Sequence, residues 1–143
     1  MTDAIKSIPA LLKNCRTIAV VGLSEKSDRP SHGVAHYMQR QGYRIIPVNP
    51  MYAGTHILGE HCYASLTKAA EALAETNVRI DIVDCFRKSE AMVPIAEEAI
   101  AIRAQCLWMQ LGVINDEAAD KAHTAGLAVV MDRCIKIEHM NTR

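Results

Sequence analysis

Short apolar runs alternate along the chain with segments whose apolar positions recur at helical spacing. Residues 17–23, TIAVVGL, form a continuous β-branched run, as expected of a strand buried on both faces of a parallel sheet. In SHGVAHYMQRQG (31–42), Val34, Ala35 and Met38 share one helical face with Gln41 at its margin, and Gly42 suits a C-cap. YRIIPVN (43–49) is a second strand. Pro47 lacks a backbone donor, so this strand ends there, bulges, or lies near an edge.

Residues 50–66, PMYAGTHILGEHCYASL, are turn-rich and read as a functional loop with a short strand around Ile57. SLTKAAEALAET (65–76) is helix-prone, and RIDIVDCF (79–86) is the third strand. KSEAMVPIAEEAIAIRA (88–104) makes a helix with Ser89 as N-cap candidate and Pro94 in its first turns or at a break. QCLWMQLGV (105–113) is the fourth strand. NDEAADKAHTAG (115–126) is a helix capped by Asn115 with Gly126 just past its end, and LAVVMD (127–132) is the fifth strand. The tail, RCIKIEHMNTR, has no strong pattern. At the other end, residues 1–16 read as an amphipathic helix with Ile5, Ile8, Leu11 and Leu12 on one side.

Strands separated by helices imply βαβ units. The expected fold is α/β: a three-layer, Rossmann-like doubly wound sandwich whose five-stranded, mainly parallel sheet has the order 3-2-1-4-5. A chain of 143 residues accommodates one such domain, residues 1–143, with the helix at 1–16 and the core at 17–139.

Composition narrows the function. Sixteen basic residues balance sixteen acidic ones, so no global field favours nucleic acid or a membrane surface, and any anion site must be local. No apolar run approaches the roughly 20 residues of a membrane span, and the N-terminus lacks a signal peptide's apolar core; a cytoplasmic location is expected. The five cysteines include no CxxC pair, and Cys85 and Cys106 lie within strand-like runs as small buried hydrophobes. His32 and His36 are one helical turn apart, but a solvated helix face explains them better than a metal site.

In open α/β sheets, ligands bind outside the carboxyl ends of the strands. There the first loop reads GLSEKSDRPS (22–31), with a single glycine. A helix starting near Ser31 offers backbone N–H groups and a positive dipole end to an anion. Ser24 and Ser31 add hydroxyls, Arg29 can fork onto a pyrophosphate, and Pro30 fixes the turn. Arg87 and Arg133 follow the third and fifth strands on the same rim.

The ribose-binding acid of an ordinary NAD site is missing, since no aspartate or glutamate occurs between Gln41 and Gly59. A ligand with a phosphate on its ribose, such as NADP or coenzyme A, fits better, with Arg44 and Lys26 as candidate partners for that phosphate. No GxSxG elbow or paired carboxylates suited to acid–base work occur. Cys134, with Arg133 and Lys136 nearby, is the best nucleophile candidate, although a structural role explains it more simply.

The segments TIAVVGLSEKSDRPSHGVAHYMQRQGYRIIPVNP, DIVDCFRKSE, WMQLGV and GLAVVMDRCIKIEH together resemble the small stand-alone CoA-binding proteins, from about Thr17 to His139. That family is similar in fold to the CoA-binding domain of succinyl-CoA synthetase alpha subunits. The resemblance implies coenzyme A, or an acyl-CoA, held at the strand ends. Gly22, Ser24, Arg29, Pro30 and Ser31 would face the pyrophosphate, and Asn49 and Pro50 the nucleotide side. Phe86 and Arg87 would line the cleft, Gln110 and Gly112 would border it, and Cys134 is a candidate contact for the CoA thiol. The larger synthetases also use a phosphohistidine segment and an ATP-grasp partner, which this sequence does not contain, so no autonomous catalysis is expected. Two other readings use the same residues: an NADP-dependent oxidoreductase, and a non-catalytic interaction subunit whose protein partner supplies the chemistry.

Overall fold

The computed structural model describes residues 8–142; Ile5 and the start of the expected N-terminal helix lie outside them. Five parallel strands form the central sheet: β1 (Thr17–Val21), β2 (Arg44–Val48), β5 (Ile82–Cys85), β6 (Cys106–Met109) and β7 (Ala128–Val130). Between β2 and β5 a small antiparallel hairpin pairs β3 (His56–Ile57) with β4 (Glu60–His61). The helices are α1 (Ile8–Asn14), α2 (Pro30–Arg40), α3 (Leu66–Ala74), α4 (Met92–Ala101), α5 (Asp116–Thr124) and α6 (Ile135–Asn141).

Alternation along the buried strands divides the core in two. Ala19, Val21, Val83, Cys85, Leu107 and Met109 pack with α3, α4 and α5 on one face. On the other, Ile18, Val20, Ile82, Cys106 and Trp108 pack with Ile8 and Leu12 of α1, Met38 of α2 and Ile135 of α6. Three layers result, and the fold is Rossmann-like as expected.

The strand order is not the expected one. The sheet runs β2-β1-β5-β6-β7, so the third long strand pairs with the first rather than with the second. Counted over the five long strands, 3-2-1-4-5 is corrected to 2-1-3-4-5. Pro47 carries the physical reason. Arg44 N–H donates toward β1, to the Arg16 carbonyl, whereas Asn49 N–H donates outward to the Tyr63 carbonyl. By alternation the donor that Pro47 lacks also faces outward, which suits only an edge strand. The edge is covered by the segment around Tyr63, whose N–H donates to the Pro47 carbonyl at 3.0 Å.

Local chemistry fixes the helix starts. Ser65 Oγ accepts from Lys68 N–H at 3.1 Å to cap α3, and Asn115 Oδ1 accepts from Ala118 N–H at 2.9 Å to cap α5. Ser89 does not cap α4; it begins a short 3-10 turn, and its hydroxyl serves the neighbouring loop. The patternless tail folds as α6. Tyr37 Oη and His139 Nδ1, 2.9 Å apart, join it to α2. At the amino ends of the strands, Asp81 accepts from Arg16 N–H, Thr17 N–H and Gln105 Nε2, tying the starts of β1, β5 and β6 together.

Candidate functional site

In a sheet of order 2-1-3-4-5 the chain turns back at the gap between the first and third strands, here β1 and β5. A cleft of about 510 Å³ opens at the carboxyl end of that gap. Gly22, Ser24, Lys26, Arg29, Pro30 and Ser31 line one side; Asn49, Met51, Tyr52 and Phe86 line the rest. Neither Glu25 nor Asp28, the acids of the first loop, is among the lining residues.

Gly22 closes the gap. Its φ is +91°, and a Cβ there would lie 2.5 Å from the Phe86 carbonyl oxygen and 3.1 Å from Arg87 Cδ. Only glycine lets the loop leave β1 so close to β5. The same contact lays the Arg87 stem over Gly22, beside the cleft.

The serines build the loop as well as lining it. Ser31 Oγ accepts from Ser24 N–H at 3.0 Å, and Ser24 Oγ accepts from Lys26 N–H at 3.1 Å. Pro30 is the first residue of α2, and Arg29 stands at the N-cap without a capping side-chain bond. Its guanidinium is exposed at the positive end of the helix. Asn49 is committed on both sides of its amide: Nδ2 donates to the Leu23 carbonyl and Oδ1 accepts from Met51 N–H, each at 3.0 Å. It fixes the loop after β1 to the turn after β2. Pro50 starts that turn without lining the cleft, while Met51 and Tyr52 after it do.

The other expected residues lie elsewhere. Gln110 is buried, and its Nε2 donates to Asp84 Oδ1 at 2.6 Å. Burial pushes the Asp84 carboxyl up to about 7, with the Gln110 hydrogen bond opposing the shift. Gly112 N–H donates to Asp132 Oδ1 at 2.8 Å on the rim after β6. Both follow a strand that does not touch β1, so neither joins the cleft; the expected order 3-2-1-4-5 would have put that strand beside it. Arg133 bonds Glu138 at 3.1 Å, Lys136 Nζ lies 5.4 Å from the Tyr37 ring centre, and Cys134, half-buried before α6, is outside the cleft lining. Arg44 pairs with Glu60 through two hydrogen bonds, at 2.9 and 3.2 Å, bracing the hairpin against β2.

Sequence reasoning misses Tyr52 as a lining residue; the VNP turn is visible, but its 3-10 continuation leaves no periodic trace. A wider depression of about 640 Å³ lies between α4 and α5, but Glu97, Glu117 and Asp120 in its walls disfavour an anionic ligand. No helix among the described residues is long and apolar enough to cross a membrane.

Fold and cleft define the class: a Rossmann-like domain with a cationic cleft at the switch point of its sheet. The chain belongs to the CoA binding domain family, which matches residues 16–140. It is 42% identical over 136 residues to YneT of Bacillus subtilis (strain 168), spanning 95% of this chain and 94% of that protein. Among solved structures, a Thermus thermophilus protein is 35% identical with a TM-score of 0.86, and the match covers 100% of both chains. A Pyrococcus horikoshii OT3 protein is 34% identical with a TM-score of 0.84, covering 99% of this chain and 92% of its own.

Proposed function

We propose that this protein holds coenzyme A across the carboxyl ends of β1 and β5, with the diphosphate on the loop from Gly22 to Ser31, and that it does so without catalysing a reaction alone. One observation carries this reading: the switch-point cleft brings Lys26, Arg29 and the start of α2 together with no carboxylate in its lining. A diphosphate gains there from the helix dipole and from charge-assisted bonds to Arg29. Met51 and Tyr52 offer apolar and aromatic surface to the nucleotide base, and Lys26 is the cation for the ribose phosphate. Arg44, engaged by Glu60, is not.

Nothing in the cleft lining forms a nucleophile–base pair. Asp84, whose carboxyl burial raises to about 7, is enclosed in the sheet and is not among the cleft-lining residues. Calorimetric competition among CoA, NADP and NAD tests the reading. CoA is expected to bind in the micromolar range, roughly −8 kcal/mol, with NADP and NAD much weaker. Preference for NADP would favour the oxidoreductase instead.

A further inference from the structure

Of the five exposed large apolar side chains among the described residues, three stand on the rim at the carboxyl ends of the strands. Met51, 79% exposed, lines the cleft, whereas Leu111 and Ile114, 62% and 49% exposed, lie beyond it on the loop after β6. Single exposed apolar residues are ordinary, but two on one short loop beside a ligand cleft call for a cause.

That loop is built rather than slack. Gly112 N–H donates to Asp132 Oδ1 at 2.8 Å, and Ile114 N–H to Ser89 Oγ at 2.9 Å. The Ser89 hydroxyl donates to the Gly112 carbonyl at 3.3 Å, and Asn115 Nδ2 to the Ser89 carbonyl at 2.9 Å. Asp132 holds its place with φ +62°, a conformation uncommon outside glycine. Val113 anchors the loop from beneath, leaving its neighbours Leu111 and Ile114 in water.

Strand register sets the distance. Cys85 pairs with Met109, and Gln110 N–H donates to the Cys85 carbonyl, so the loop begins one strand beyond Phe86. From Gly22 that is two strand spacings, about 10 Å. A pantetheine arm anchored by its diphosphate at Gly22–Ser31 is long enough to cross it.

Resting on the CoA-binding reading above, we propose that Leu111 and Ile114 seat an apolar acyl chain, which makes the ligand class a short aliphatic acyl-CoA rather than free CoA. Calorimetric titration of the wild type and of a Leu111→Ser, Ile114→Ser double variant with CoA, butyryl-CoA and succinyl-CoA tests this. For the wild type, butyryl-CoA binds about tenfold more tightly than CoA, the gain for half-burying three carbons. Succinyl-CoA, with a charged acyl end, shows no such gain. The double variant keeps wild-type affinity for CoA and a wild-type urea midpoint but loses the butyryl advantage. Equal affinity for CoA and butyryl-CoA overturns the acyl seat and leaves CoA binding standing. So does a gain that survives in the double variant or that succinyl-CoA shares. Failure of all three ligands to bind the wild type overturns the CoA reading, and the acyl seat with it.

Discussion

Replacing Gly22 with alanine tests the join between fold and cleft. The substitution puts a Cβ on a residue with φ +91°, at 2.5 Å from the Phe86 carbonyl oxygen. Left-handed backbone costs a non-glycine residue about 1–2 kcal/mol. The new contact is nearly an ångström too short, and its partner is backbone that cannot rotate away. Relief requires the ends of β1 and β5 to part where Phe86 N–H donates to the Val21 carbonyl at 2.9 Å, weakening a bond of about 1 kcal/mol. The expected total is about 2–4 kcal/mol. Urea denaturation should show a midpoint lower by about 1–2 M at an unchanged slope. Gly33→Ala is the control: Gly33 lies inside α2, with nothing within 4 Å of the place its new methyl would take, so it should gain up to about 1 kcal/mol. A Gly22→Ala protein within about 0.5 kcal/mol of wild type, a change typical of an uninvolved surface site, would refute the close approach.

Burial keeps the Asp84 carboxyl protonated in the folded state up to about 7, whereas in the unfolded chain it ionises near 3.8. Stability should therefore fall as pH rises from about 4 to 7 and level off above that. Its limiting slope is about 1.4 kcal/mol per pH unit. Asp84→Asn should flatten that decline in denaturation midpoints between about pH 4 and 7, and a profile identical to wild type would count against the shift. Asp81→Ala removes an acceptor shared by three donors and should cost about 2–4 kcal/mol in chemical denaturation. Arg44→Ala breaks a part-exposed ion pair and should cost under about 1 kcal/mol while leaving CoA affinity unchanged. A tenfold loss of CoA affinity in that variant would return Arg44 to the ligand.

Much of this architecture is legible in the sequence. The uninterrupted run at 17–23 announces a doubly buried strand because both faces of β1 are covered. Asn115 announces a helix start because a short polar side chain before an apolar helical pattern meets orphan N–H groups, whereas Ser89, read by the same rule, opens a 3-10 turn instead. The loop after β1 is legible for the same reason: Gly22, Arg29, Pro30 and Ser31 each have a local backbone task. Strand order is harder to read, since it depends on which edge Pro47 presents, and the proline alone shows only that some edge is needed. Gln110 and Gly112 come to the border of the cleft in the sequence reading through the family resemblance, and the expected order 3-2-1-4-5 is compatible with that placement. The burial of Gln110 against Asp84 is a long-range pairing between β5 and the end of β6, invisible to periodicity. α6 is missed because so short a helix is held by packing against α2 and α1 rather than by its own propensity.

Titration of the ligand-free protein with coenzyme A, repeated with Arg29→Ala, bears most directly on the central claim. Arg29 is exposed and caps nothing with its side chain, so its removal should leave the fold intact. The account predicts micromolar binding by the wild type and a loss of tenfold or more in the variant, as befits a charge-assisted contact to a diphosphate. Equal affinity in both proteins, or no binding in either, would contradict it.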